Sequence, residues 1–155
     1  TLVLQRLPGC TDRDWAHAQS AAQLWLLLGS LGYRANRAAG SVWPDAATAP
    51  ADPASLRSQI AELGCNWAIN LAPVAIGKAW ESLRRAASDT PNDAVNYGGA
   101  KPRKPSPTHF KVVRFGDKLR LIIFAETTDR LASAKAAMLN KPKPALSMPK
   151  DWVTI

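Results

Sequence analysis

"THFKVVRFGDKLRLIIFAE", residues 108–126, decides the fold. Two β-branched and aromatic runs flank Gly116-Asp117, and a two-residue joint of this kind between such runs predicts a β-hairpin. Side chains alternate across a strand, so His109, Lys111 and Val113 share one face while Phe110, Val112 and Arg114 share the other. Downstream, Leu131, Ala134 and Met138 recur at helical spacing and predict a helix from about Asp129 to Leu139. The remaining "NKPKPALSMPKDWVTI" is rich in proline and lysine and reads as an irregular basic tail over 140–155.

Upstream of the hairpin, residues 88–107 are rich in Asp, Asn, Gly and Pro and read as irregular. Pro73 opens a predicted helix carrying Ile76, Trp80 and Leu83. Asp52 as N-cap, Pro53 at the first helical position and Gly64 past the end bracket a shorter helix with Leu56, Ile60 and Leu63. "PDAATAPADP", residues 44–53, reads as a flexible Pro/Ala insertion. The longest predicted helix begins at Thr11 or Asp12 and carries Trp15, Ala18, Ala22, Trp25 and Gly29 on one face. Residues 1–7, "TLVLQRL", alternate as a strand would. With "SVW", residues 41–43, resuming an extended path after the glycine loop, strand, helix, strand, helices, hairpin and helix in this order predict an α+β fold, ferredoxin-like (RRM-like), with helices packed on one face of an antiparallel sheet. The reading is one domain over residues 1–155.

Composition narrows the class. With 155 residues, 46% apolar and 21% charged, the chain is an ordinary globular domain long enough to bury a core. No apolar run approaches the length needed to cross a bilayer. Arg6, Asp12, Arg13 and Asp14 interrupt any secretory signal, so a cytoplasmic protein without a membrane partner is expected. Cys10 and Cys65 lack metal-ligand spacing and read as reduced structural thiols, so neither a metal nor another cofactor is expected. The net charge is +8, and residues 101–120 concentrate seven cations against Asp117. Clustered cations attract polyanions, nucleic acid foremost. A solvated charged face is the plainer reading of the same run.

Two clusters carry candidate chemistry. In "LLLGSLGYRANRAAGSVWP", residues 26–44, an apolar helix leaves through spaced glycines. Gly29, Gly32 and Gly40 permit a folded-back path that can aim amide groups at phosphates. Arg34 and Arg37 add forked donors, and Tyr33 offers a ring on which a base can stack. A simple helix-to-strand turn is the alternative. In "KPRKPSPTHFKVVRF", residues 101–115, prolines stiffen an extended segment from which Lys101, Arg103 and Lys104 project, followed by His109 and Lys111 on the strand. His109 reads as a phosphate contact, an acid/base or a merely exposed side chain. His17 is the other histidine, and no carboxylate pair stands out, so no catalytic residue is assigned.

Together the two stretches resemble the RAMP superfamily of CRISPR-associated proteins, nearest to the type III-B (Cmr) effector subunit at the 3′ end of the guide RNA. That family carries Gly-Gly-x-Gly-x-Arg-x-x-Arg-Gly-x-Gly-Ser after an apolar helix; Gly29, Gly32, Arg34, Arg37, Gly40 and Ser41 match it here. Arg103, Ser106, Pro107, His109 and Lys111 echo a later basic, Ser-Pro and strand segment. Ser30 and Ala38 stand where the family has glycine, which implies a somewhat different loop path. Family members are longer, with two ferredoxin-like halves, so the resemblance implies that this chain is a C-terminal portion or a split relative. It further implies an RNA-binding subunit of an antiviral CRISPR type III ribonucleoprotein. Guide or target RNA and other effector subunits would be its partners, and Gly32, Tyr33, Arg34, Arg37, Gly40, Lys101, Arg103, Lys104, His109 and Lys111 would form its RNA contact. Two rival expectations are a metal-independent CRISPR-repeat endoribonuclease using His109 or His17, and a basic protein-interaction module.

Overall fold

The computed structural model describes residues 3–31, 38, 40–65, 67–72, 94–100, 102–139 and 152–155. The hairpin forms as predicted. Strands β4 (Thr108–Phe115) and β5 (Lys118–Ala125) pair antiparallel from Thr108↔Ala125 to Phe115↔Lys118, around Gly116. Strand β5 also pairs antiparallel with β1 (Ala68–Ala72), and β1 with β6 (Val153–Thr154), so the sheet order is β4-β5-β1-β6. Strand β1 lies inside the sheet, with Ile69 and Leu71 aligned with Phe124 and Ile122.

Both faces of the sheet are covered, which corrects the expectation of helices on one face only. On one side Phe110, Val112, Leu121 and Ile123 meet Leu131 and Ala134 of helix α4 (Thr128–Leu139). On the other, Ile69, Leu71, Val113, Ile122 and Phe124 meet Leu27 of α1 (Asp12–Leu28) and Leu56 and Ile60 of α2 (Pro53–Glu62). Each fully buried aliphatic side chain contributes about 1.5–3 kcal/mol, so each layer is an energetic unit in its own right. The hairpin is apolar on both faces because it is packed on both.

Local signals explain the helix ends. Thr11 caps α1 in a reciprocal box: its Oγ1 accepts from Asp14 N at 3.1 Å, and Asp14 Oδ2 accepts from Thr11 N at 3.4 Å. The Thr11 hydroxyl and amide hold the Asp14 carboxyl below its ordinary value. Asp52 caps α2 with Pro53 following, as predicted. That helix closes with Cys65 N donating to Ile60 O at 2.8 Å and Gly64 N to Ala61 O at 2.9 Å, a Schellman ending.

Several expectations are corrected. Residues 3–7 form no strand: Val3, Leu4 and Leu7 are exposed, with no described sheet edge beside them to satisfy their backbone groups. Residues Thr1 and Leu2 lie outside the described residues. The predicted α1 face is covered only in part: Trp15, Ala22, Trp25 and Gly29 are half-buried and Ala18 is exposed, while the fully buried residue is Leu27. Within the Pro/Ala insertion, Asp45 Oδ1 accepts from Ala47 N, Thr48 N and Thr48 Oγ1 at 3.0–3.1 Å, so an Asx turn replaces a free linker. Residues 94–104 hold a short helix α3 (Ala94–Tyr97) and a two-stranded ribbon, β2 (Gly99–Ala100) with β3 (Arg103–Lys104). This unit is pinned by Tyr97, whose ring stacks on Phe110 at 6.2 Å and whose hydroxyl donates to Ala134 O. At the C-terminal end, β6 joins the sheet and Trp152 packs against the α4-side core, so 152–155 are not irregular. The predicted helix after Pro73 lies outside the described residues.

Candidate nucleic-acid interface

The glycine-spaced loop is fastened where the hairpin begins. Strand β4 is the outer strand of the sheet, so its outward backbone groups need partners. Ala38 N donates to Phe110 O at 3.1 Å, and Val112 N donates to Ser41 Oγ at 3.2 Å. Ser41 Oγ in turn donates to Ala38 O at 2.9 Å. Ser30 and Ser41 form an antiparallel bridge, and Leu31 N donates to Gly40 O at 2.8 Å. The chain therefore leaves at Leu31 and returns at Ala38 and Gly40 beside the same stretch of β4.

Gly40 is required here. Its φ is +66°, and a Cβ would stand 1.9 Å from Leu31 O. Ala38, where the resembling family has glycine, takes φ +60° and is fully buried. Gly32, Tyr33, Arg34 and Arg37 lie outside the described residues, as does Lys101.

Lys111 is a correction. Expected among exposed phosphate contacts, it is fully buried, and its Nζ donates to Leu26 O and Gly29 O, each at 2.7 Å. Helix α1 has no basic residue in its last turn; Lys111 supplies hydrogen-bond donors to that end from across the chain. Its ammonium also lies 5.7 Å from the Trp43 ring centroid. Burial pushes the Lys111 pKa down to about 7. A neutral amine still has two N–H groups, enough for both carbonyls. Lys111 is a clasp between α1 and β4, not a surface cation.

His109 is also more enclosed than expected. Half-buried on the same face of β4, it stacks on Phe124 at 5.3 Å and stands 5.8 Å from Trp67. Burial lowers its pKa, against a smaller upward pull from Glu126. Trp67, Phe124 and His109 form one wall of a groove of about 610 Å³, and Trp25 of α1 contributes to the facing side. Gly29 and Ser30, the first residues of the loop stem, line the same groove. Sequence reasoning missed Trp67 and Phe124; an aromatic residue just before Ile69 and Leu71, two apolar residues spaced as in a strand, was the available signal.

Lys104 is exposed on β3, close in sequence to the start of β4, and Arg103 stands beside it on the same strand. Arg57, Arg114, Arg120 and Arg130 donate to backbone carbonyls. None of these four pairs with a described carboxylate, whereas Arg6 pairs with Asp12 at 2.8 Å. His17 is exposed on α1. Among the described residues no group of three or more His, Cys, Asp or Glu converges, and no helix is long and apolar enough to cross a membrane.

The architecture is α+β, a four-stranded antiparallel sheet with helices on both faces. Comparison with protein-family models, curated proteins and solved structures gives no match.

Proposed function

We propose that this chain is a non-catalytic RNA-binding module that grips a single-stranded backbone between its glycine-spaced loop and the basic approach to β4. The supporting observation is the fastening of the loop: Ala38 N on Phe110 O, with Ser41 bridging to Val112 N. Those bonds bring the ends of the segment carrying Arg34 and Arg37 to the strand that Arg103 and Lys104 precede. A net charge of +8, with four described arginines bonded only to carbonyls among described partners, favours a polyanion.

In this reading the sheet is ferredoxin-like: β1, β4, β5 and β6 stand in the order expected of a strand, hairpin and strand joined by helical crossovers, with α1 and α2 added on the second face. The motif resemblance to RAMP proteins makes the assembly a cytoplasmic CRISPR type III ribonucleoprotein, with guide or target RNA and other effector subunits as partners. Base pairing by the guide would read the sequence.

The test is the double variant Arg34→Ala/Arg37→Ala. Two lost charge-assisted phosphate contacts should weaken single-stranded RNA binding about tenfold or more, with the thermal midpoint nearly unchanged. Unchanged binding, or unfolding of the variant, contradicts the proposal.

A further inference from the structure

We infer that the groove between α1 and the sheet is a stacking site for one unpaired nucleobase of the RNA strand whose backbone the loop holds. The inference rests on the RNA-binding reading above and adds to it a contact with bases.

The wall of this groove has unusual content. Trp67, His109 and Phe124 arrive from three different places, the approach to β1, β4 and β5, and lie with interplanar angles between 18° and 35°. Their centroids are 5.3–5.8 Å apart, so Trp67 and His109, both half-buried, form the exposed part of a cluster of nearly aligned rings backed by the buried Phe124. Trp25 and Leu28 of α1 contribute the opposite side. A volume of about 610 Å³ lies within the range of small-ligand sites and exceeds what one flat ring occupies.

Position selects the occupant. Gly29 and Ser30 both line the groove and begin the loop stem, so the groove adjoins the point where the chain enters the loop. Among the described lining residues there is no carboxylate, and Glu126 stands near enough to act on His109, so the groove itself is mainly apolar. A planar face is common to all bases, so such a site tolerates sequence, as base-pairing recognition by a guide would require.

The experiment compares binding of a short labelled oligouridine with a ribose-phosphate strand of equal length lacking bases, using the full chain. The native protein should bind the oligouridine about 5- to 100-fold more tightly, the factor expected for one stacked base. Trp25→Leu and Trp67→Leu should erase that preference while leaving binding of the abasic strand in place. Trp15→Leu, half-buried on the same helix outside the groove, should retain it. Should Trp67→Leu fail to fold, Trp25→Leu carries the test. Equal binding of both strands by the native protein overturns the stacking site while the backbone grip stands. Binding of neither strand overturns both.

Discussion

The two faces of the sheet are closed to different degrees. Against α4 the packing is complete: Phe110, Val112, Leu121, Ile123 and Leu131 are buried, and Tyr97 closes the side through its bond to Ala134. Against α1 and α2, the core around Leu27, Leu56, Ile60 and Ile122 is equally dry, yet it opens into the groove beside Trp25, Trp67 and His109. Half-exposed rings contribute less burial than core rings, so this face forgoes stability where the other does not. The comparison teaches that one sheet can be closed by packing on one side and open into a groove on the other.

The largest expected effect tests that contrast directly. Leu131→Ala should cost about 2–5 kcal/mol in urea unfolding, because the face packed on α4 leaves a cavity behind. Trp67→Leu, half-buried beside the groove, should cost distinctly less. Equal losses would show the two faces to be packed alike.

Next comes the loop fastening. Gly40→Ala forces a Cβ into Leu31 O at a positive φ and should cost more than about 2 kcal/mol. Gly116→Ala, at φ +57° with open space around the new methyl, should cost about 1–2 kcal/mol in the same assay. A Gly40→Ala variant as stable as Gly116→Ala would mean that the stem on β4 is loose.

A smaller effect is the pH dependence of stability. The Lys111 pKa falls from 10.5 to about 7 on folding, so between those values the unfolded chain binds more protons than the native one. Stability from this group therefore rises with pH through that window. His109, lowered from 6.5, adds a rise of the same sign at more acidic pH. Thermal midpoints measured from pH 6 to pH 9 should increase, and Lys111→Met should flatten the alkaline part; an unchanged slope in that variant would remove the buried clasp as its origin.

Much of the hairpin-side architecture was legible because its signals are local. Gly116-Asp117 between β-branched runs, Asp52-Pro53 ahead of α2 and the Leu131–Ala134 spacing of α4 each lie within a few residues of the structure they specify. Strand β1 was not legible: Ala68–Ala72 is short and Ala-rich, and only β5 and β6 on its two sides make it a strand. The opposite error occurred at residues 3–7, where alternation is present but no partner edge is described. Lys111 shows the same limit in chemistry. A lysine in a strand reads as exposed, and the carbonyl it serves at Gly29 is 82 residues away. The loop was singled out for its arginines and glycines, of which Gly32, Arg34 and Arg37 lie outside the described residues; the groove was not, since Trp25, Trp67, His109 and Phe124 meet only after the helix and sheet have packed.

The most direct measurement of the central claim is the affinity for single-stranded RNA across a range of salt concentrations. Gripping about four phosphates predicts a log–log slope near −3, at roughly 0.7 per phosphate. A slope indistinguishable from zero, or no binding at low salt, would contradict the account.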